Sequence, residues 1–258
     1  MAESTRAVER ALDILLCFNR DEPVLTLTQI AERVELHKST VHRLLATLEN
    51  KHFVQRDASD GSYRLGIRLI ELGFSALKRT NLIEQAMPYM QRLSAEHRES
   101  VDLAILEGAE VVYLHVIESP QRVKIAAAPG EHLPAFCTAT GKAFLAFLPD
   151  DEVKRIFKQG AHKYTEHTKT TLTALRDDLG AAREQGYAVS VEEFENGINA
   201  VAAPILDARG HPLAVIAMAG PSFRLSRERM TELGRSVKAS ADAIAKELGL
   251  AMQFSARK

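Results

Sequence analysis

The chain has 258 residues, of which 46% are hydrophobic, and its 33 lysines and arginines against 34 aspartates and glutamates leave a net charge of −1. This length suits two globular domains, and the near-neutral charge decides nothing about nucleic acid, because a local basic patch is sufficient. Two cysteines, Cys17 and Cys137, are too few for a disulfide framework, and the histidines lack zinc-ligand spacing, so we expect neither a metal site nor a cofactor. Glu9, Arg10 and Asp13 interrupt the apolar N-terminal segment, which argues against a signal peptide or membrane span and predicts a cytoplasmic protein with no membrane partner.

The first two predicted elements are amphipathic helices. One spans about residues 5–18 as a scaffold, and its apolar stripe consists of Val8, Ala11, Leu12 and Leu15. The next begins at Thr28, whose hydroxyl can accept a hydrogen bond from a free N–H group at a helix start. Residues 35–37 then form a short turn.

The third helix, predicted over residues 38–49, has two chemically different faces. Its apolar residues follow the spacing i, i+3, i+4 and i+7, and they are Val41, Leu44, Leu45 and Leu48. Hydroxyl, guanidinium and amide groups, which bind phosphates and base edges, lie opposite on Ser39, Arg43, Thr47 and Asn50. Together with the preceding helix and turn, this pattern predicts a helix-turn-helix. Periodicity alone fits an ordinary amphipathic helix of a small bundle equally well.

Two short β-favourable runs decide between these alternatives. Residues 53–56 and 62–65 read as strands, and the turn-forming segment between them ends in Gly61, which suits a positive φ. A helix-turn-helix followed by a hairpin is a winged helix. Six basic residues outnumber three acidic ones between residues 38 and 68, which suits phosphate contacts. The residues predicted to contact DNA are Thr28, Lys38, Ser39, Thr40, His42, Arg43, Thr47, Arg56 and Arg64.

Another helix is predicted after the wing, over residues 67–81. Its apolar residues repeat at steps of three and four, as in a short heptad seam, and they are Ile67, Ile70, Phe74 and Leu77. Such a seam contributes to a dimer contact or packs on its own winged helix. The sequence leaves both alternatives open.

From residue 82 onward the pattern changes to mixed helix and strand. Strands are predicted at residues 101–106, 111–117, 123–127, 186–191, 198–206 and 213–219, with a hairpin turn at 107–110. Helices are predicted through 87–93 and at 141–148, 150–158, 172–185 and 227–248. Strands on both sides of central helices predict an α+β domain with an antiparallel sheet.

Seven segments carry a family resemblance: LTQIA at 27–31, KSTVHRLL at 38–45, YRLG at 63–66, TATGKA at 138–143, GYAV at 186–189, VAAPI at 201–205 and GPSFRL at 220–225. With these segments in this order, the chain resembles the IclR (isocitrate lyase regulator) family of bacterial transcription factors over nearly its whole length. The resemblance implies a winged helix-turn-helix over residues 1–66, a linker helix over 67–81 and a GAF-like effector-binding domain over 82–258.

The resemblance also implies a function. Such a protein is a transcriptional regulator that binds palindromic promoter sites on double-stranded DNA as a homodimer or a dimer of dimers. A small metabolite controls it, the target is a catabolic operon, and RNA polymerase is a candidate further partner. Two residues depart from the family pattern, because Glu35 stands where a glycine is usual and His37 where a proline is common. Glu35 is expected to cost about 1 kcal/mol if the left-handed backbone is kept.

A carboxylate site is predicted where residues 138–140 lead into the helix that begins near Gly141, because N–H groups at a helix start are free to bind an anion. The resemblance places the effector pocket here as well. In family members that bind small oxoacids, an acid, a cysteine and two serines match Ser190, Ala200, Ala217 and Ala219.

Three of those four positions are alanine, so the pocket is expected to hold no fixed hydroxyl or carboxylate that demands a partner. This favours a larger, partly apolar acid, such as an aromatic or branched carboxylate. The alternative is that the alanines simply pack the sheet. The predicted effector-binding residues are Ile125, Leu133, Phe136, Thr138, Ala139, Thr140, Gly141, Ser190, Ile198, Ala200, Ala217 and Ala219.

The rival hypothesis is a thiol-dependent enzyme with Cys137 as nucleophile, close to Lys142 and to a helix start that would lower the thiol pKa. Such a cysteine needs a base, and His115 and His132 serve only if the fold brings them near. No signature requires this, so no enzyme is predicted. A purely architectural DNA binder would leave the second domain without a task.

Overall fold

The computed structural model describes residues 5–19, 22–78 and 82–249, and for residues 73–78 only the backbone. The chain divides into two compact units, Met1–Arg79 and Thr80–Lys258. No helix within the described ranges has both the length and the apolar content that crossing a bilayer requires.

The first unit has the predicted winged helix-turn-helix architecture. Its helices are α1 (Arg6–Leu16), α2 (Leu27–Arg33), α3 (Lys38–Asn50) and α4 (Ile67–Lys78). Its strands are β1 (Val24–Leu25), β2 (Val54–Arg56) and β3 (Tyr63–Leu65), arranged as an antiparallel sheet in the order β1-β3-β2. The wing strands β2 and β3 match the prediction, whereas β1 has two residues and is too short to show a periodic pattern.

The start of α2 differs from the prediction, because Thr26 and not Thr28 is the N-cap. The Thr26 hydroxyl accepts a hydrogen bond from the Gln29 N–H at 3.4 Å, and the Gln29 side-chain oxygen accepts one from the Thr26 N–H at 2.8 Å. This reciprocal capping box satisfies two N–H groups, whereas a cap at Thr28 would satisfy one. Thr28 lies half-buried in the first turn.

The apolar stripe predicted for α1 is wrong in part. Ile14 is fully buried in the core of the first unit, while Val8 is 57% and Leu12 is 54% exposed. Ala11 and Leu15 are partly buried. The helix packs on α3 through a face that shares Ala11 and Leu15 with the predicted one but also contains Ile14. Two overlapping apolar stripes share this helix, and packing selects between them.

The α2–α3 turn contains strained backbone at Glu35. Val41, Leu45 and Leu48 of α3 are buried and Leu44 is half-buried, as the periodicity predicts. Glu35 has a φ of 51°, so the left-handed geometry expected at this position is kept without a glycine. The Leu36 N–H group donates to the Ala31 carbonyl at 3.1 Å, a bond that depends on this reversal of the chain.

The second unit is a six-stranded antiparallel sheet with helices on both faces, so the α+β prediction is confirmed. The strands are β4 (Ser100–Glu107), β5 (Glu110–Ile117), β6 (His132–Pro134), β7 (Ala188–Val191), β8 (Ile198–Leu206) and β9 (Pro212–Pro221), in the order β6-β5-β4-β9-β8-β7. The helices are α5 (Leu82–His97), α6 (Ala139–Leu145), α7 (Asp150–Gly160), α8 (Leu172–Gln185) and α9 (Arg227–Glu247).

Alternate strand residues point into two separate cores, as expected for a sheet covered on both faces. Val201 and Ile216 pack with α5 and α9, whereas Ala202 and Ala217 pack with α6, α7 and α8. The strand predicted at residues 123–127 is absent, and an irregular loop takes its place. The edge of β5 is paired instead with β6, through Glu110, Val111 and Val112.

The strain at Glu35 generates a testable prediction. Glu35→Gly removes the clash that a side chain suffers at positive φ and is expected to stabilise the first unit by about 1 kcal/mol. Hydrogen exchange of the α3 amides in the full chain measures this stabilisation, because slower exchange reports a larger free energy of opening. Glu35→Ala keeps a side chain at the same φ and should leave the rates unchanged; equal slowing by both variants would rule out strain as the cause.

Candidate functional site

The polar face of α3 is exposed, as a surface that meets another molecule must be. Ser39, Arg43, Thr47 and Asn50 all lie on it, with Lys38 and His42 beside them, and Thr40 is half-buried. The Thr47 hydroxyl donates to the Arg43 carbonyl at 3.1 Å. Within the described part of the chain the Arg43 guanidinium has no hydrogen-bond or ion-pair partner, so its donors are available.

The wing presents further cations. The Arg56 guanidinium lies over the Tyr63 ring at 5.8 Å, and Arg64 donates to the Gln55 side-chain oxygen at 3.1 Å. Gly61 turns the hairpin with a φ of 73°. Arg68 is paired with Glu71 at 2.6 Å, so it adds less to the basic patch than its position in the sequence suggests.

The second unit encloses a cavity of about 110 Å³ between the sheet, the start of α6 and the loop before β6. Predicted effector residues that line it are Ile125, Leu133, Thr138, Ala139, Thr140, Ser190, Ile198, Ala200 and Ala219. Ala200 and Ala219 are Cα partners on β8 and β9, which is why both face the cavity. The lining also includes residues that sequence reasoning missed, namely Asp102, Tyr113, Ala126, Ala127, Glu131, Phe194 and Glu195.

Phe136, Gly141 and Ala217 lie outside the cavity lining. The Phe136 ring packs edge-on against Phe157, with 5.9 Å between centroids. A Cβ on Gly141 would lie 2.1 Å from the Ala135 carbonyl oxygen, so glycine here lets α6 approach the preceding turn. Ala217 is 1% exposed and packs in the core beside the cavity.

Asp102 contradicts the expectation of a pocket without a fixed carboxylate. It is 4% exposed, and its Oδ1 has no partner among the described residues. The Thr140 hydroxyl hydrogen-bonds to the carboxyl, but burial dominates and raises the pKa of Asp102 to about 7. An aspartate inside the apolar run VDLAIL was the available sequence signal, because a buried carboxyl needs a partner.

Hydrogen-bond donors line the same cavity. Thr138 caps α6 by accepting from the Gly141 N–H at 3.1 Å, while the N–H groups of Ala139 and Thr140 have no partner within the described residues. Burial, followed by the Asp102 and Glu131 charges, raises the pKa of Tyr113 far above its usual value, so its hydroxyl remains a donor. The wall of the cavity therefore combines apolar side chains with several donors and one buried acid.

Lys142 anchors α6 from the opposite side. Its ammonium is 1% exposed and lies 2.6 Å from Asp178 Oδ2 and 2.5 Å from Glu193 Oε1. Lys169 also pairs with Asp178. The Lys142 ammonium is therefore occupied by carboxylates and does not face the cavity, whose lining excludes it.

The environment of Cys137 opposes the thiol-enzyme hypothesis. The side chain is fully buried, and burial, with a contribution from Glu193, raises the pKa of the thiol to about 12 despite Lys142. The candidate base His132 lies 3.2 Å from Glu110 instead. A buried, protonated thiol is a poor nucleophile, so the geometry gives no support to chemistry at this residue.

Comparisons with known proteins cover both units. The family model described as the IclR helix-turn-helix domain matches residues 7–58, and the one described as the bacterial transcriptional regulator IclR C-terminal matches residues 74–246. The HTH-type transcriptional regulator KdgR of Escherichia coli (strain K12) is 33% identical over 248 residues, which are 96% of this chain and 94% of that protein. The transcriptional repressor IclR of the same strain is 31% identical over 242 residues, covering 93% and 88%.

A solved structure resembles the whole chain. The IclR homologue of Microbacterium hydrocarbonoxydans, complexed with 4-hydroxybenzoate, superposes with a TM-score of 0.85 at 26% identity, over 94% of this chain and 99% of that one. The arrangement of elements described above is therefore that of an experimentally known fold.

Proposed function

The chain belongs to the IclR family of bacterial transcriptional regulators, and we propose that it binds promoter DNA through α3 and the wing under the control of an organic acid held beside α6. The observation that carries this proposal is that the chain has both an exposed polar face on α3, where the Arg43 guanidinium has no partner among the described residues, and a cavity in the second unit. The relatives named above are regulators and not enzymes, which agrees with the buried Cys137 thiol. Its proposed compartment is the cytoplasm, where bacterial promoters are accessible.

The DNA-reading proposal rests on α3. Arg43 stands on the exposed face with free donors, and a bidentate guanidinium contact to guanine is the commonest specific contact in the major groove. Ser39 and Lys38 lie one turn earlier, where they can bind phosphates and fix the helix in register. Arg64 of the wing would then lie along the backbone of the duplex.

Arg43→Ala is expected to weaken binding to an operator selected from random duplexes by about 1 to 3 kcal/mol, measured by gel shift. The fold should survive, because the side chain is exposed and unpaired. Arg64→Ala is the matched control: it should weaken binding to all sequences alike and flatten the salt dependence. Normal operator affinity in Arg43→Ala would mean that another face of α3 enters the groove.

We also propose that the regulator is a homodimer or a dimer of dimers that binds a palindromic site. Ile67 is 58% and Ile70 is 54% exposed on α4, so this part of the predicted seam does not pack on its own winged helix. The side chains of Phe74 and Leu77 lie outside the described residues. Two large apolar side chains on one exposed helix face favour a second copy of α4 as the partner.

Light scattering at micromolar concentration is expected to give at least twice the mass of one chain. Replacing Ile67 and Ile70 together by glutamate should reduce that mass, because charges are excluded from an apolar seam. Leu72→Glu is the control, since Leu72 is 50% exposed but points to the other side of the helix. A monomer mass for the unmodified chain would remove the proposed dimer.

The effector proposal rests on the two kinds of surface in the cavity. The free N–H groups of Ala139 and Thr140 can bind a carboxylate, while Ile125, Leu133 and Ile198 offer apolar contact. A cavity of about 150 Å³ holds benzene, so about 110 Å³ suits a branched acid directly and an aromatic acid after small movements of the loop wall. The complex of the Microbacterium hydrocarbonoxydans homologue with 4-hydroxybenzoate supports this class of ligand. Control of a catabolic operon for such an acid follows as part of the proposal.

Ala219→Phe should fill the cavity and abolish the thermal stabilisation given by benzoate or isovalerate, yet spare DNA binding in a gel shift. A ligand at about 100 times its Kd stabilises by about 2.7 kcal/mol, so its loss is measurable. Ala217→Phe is the contrast, because it overpacks the core and should cost about 1 to 3 kcal/mol of stability with or without ligand. Tighter binding of pyruvate or glyoxylate than of the larger acids would contradict the apolar part of the proposal.

A further inference from the structure

Among the described residues of the cavity wall, Asp102 is the one whose side chain has a buried oxygen without a hydrogen-bond partner. It lies on β4 opposite Val116 of β5 and Ala217 of β9, and neither neighbour offers a polar side chain. Its one side-chain hydrogen bond comes from Thr140, at the start of α6, and its Oδ1 is buried without a partner in the described residues. A buried oxygen in this state destabilises the protein unless a ligand satisfies it.

Among the described residues, the charged and titratable groups of the cavity wall include no cation. Besides Asp102, these groups are Tyr113 on β5, Glu131 in the loop before β6 and Glu195 after β7. Glu131 and Glu195 are exposed, so water screens them. From α6, Lys142 is engaged with Asp178 and Glu193, and β8 and β9 contribute Ile198, Ala200 and Ala219 to the wall. An anionic effector would therefore meet Asp102 without any positive side chain to offset the repulsion.

We propose that Asp102 binds the effector in its protonated form, donating its O–H to the effector carboxylate, so that binding takes up one proton from solvent. This inference rests on the proposed carboxylate effector. Two buried carboxylates in contact cannot both be ionised, whereas a carboxyl and a carboxylate share one proton in a strong hydrogen bond. The Thr140 contact places Asp102 beside the free N–H groups that would hold the second oxygen of the effector.

The pH dependence of effector affinity follows from the protonation state of Asp102 in the free protein. Burial raises the pKa of Asp102 to about 7, so the side chain is mostly protonated below that pH and mostly ionised above it. Simple carboxylic acids are ionised throughout the range from about pH 6 to about pH 9. Below about pH 7 the proton is already in place and affinity is flat. Above it each further pH unit is expected to weaken binding about tenfold.

Titration calorimetry of the full chain with benzoate and with isovalerate tests this. Between about pH 7 and about pH 9 the Kd should rise about 50-fold, and buffers of different ionisation enthalpy should report proton uptake approaching one per ligand at the upper end. Asp102→Asn retains an N–H donor but cannot titrate, so its Kd should vary little with pH and its binding should take up no proton. Glu107→Gln, which changes an exposed carboxyl on the same strand but outside the cavity lining, should keep the wild-type slope.

The outcomes distinguish failure of the role proposed for Asp102 from failure of the proposed carboxylate effector. Binding that is independent of pH, or that tightens as pH rises, overturns the role of Asp102 and leaves the carboxylate effector intact; tightening would mean that ionised Asp102 accepts a hydrogen bond from the ligand. No binding of any carboxylate at any pH by the folded protein overturns the proposed effector, and this inference with it. If Asp102→Asn fails to fold, the proton uptake of the unmodified chain still decides.

Discussion

The buried ion cluster around Lys142 is the interaction on which the architecture of the second unit depends. An ammonium that is 1% exposed is tolerated only because Asp178 and Glu193 lie within 2.6 Å of it. Burial opposes ionisation of both acids; the two nearby lysines outweigh it for Asp178, whose pKa is lowered, whereas the pKa of Glu193 remains raised. The cluster joins α6 to α8 and to the turn after β7. Removing Lys142 would leave the buried Glu193 carboxylate without a counterion, which costs about 3 to 5 kcal/mol.

The cavity is a consequence of that placement. With α6 held against the sheet, Gly141 lets the helix approach the Ala135 carbonyl more closely than any Cβ would permit. The first N–H groups of α6 then open into the space beside Asp102 rather than into solvent. Residues of the cavity wall and of the core therefore follow one another along a single turn of chain, with Thr140 lining the cavity while Gly141 and Lys142 lie outside its lining.

In the first unit, local sequence patterns are sufficient to define most of the helices and strands. Its three core helices and wing are short, and each is defined by its own periodicity or turn residues. Packing decides which face of α1 is buried, and Glu35 holds a φ of 51° because the α2–α3 turn requires it and the surrounding packing stabilises that turn. A strained residue between the two helices of a DNA-reading motif sets their mutual angle, and this angle determines which side chains of α3 are presented.

Sequence alone determined the elements whose pattern is local and long. The bounds predicted for α8 and β8 coincide with those in the structure. The order of apolar and polar side chains along the sequence is enough to show the helical period of 3.6 residues and the strand period of 2. Tertiary structure decided what depends on neighbours: that Ile14 and not Leu12 is buried, and that Ala217 packs in the core while Ala219 faces the cavity. Asp102 belongs to this second group. Its residue type is visible in the sequence, but its raised pKa and its unpartnered oxygen arise only when β4, β5, β9 and α6 close around it and exclude water.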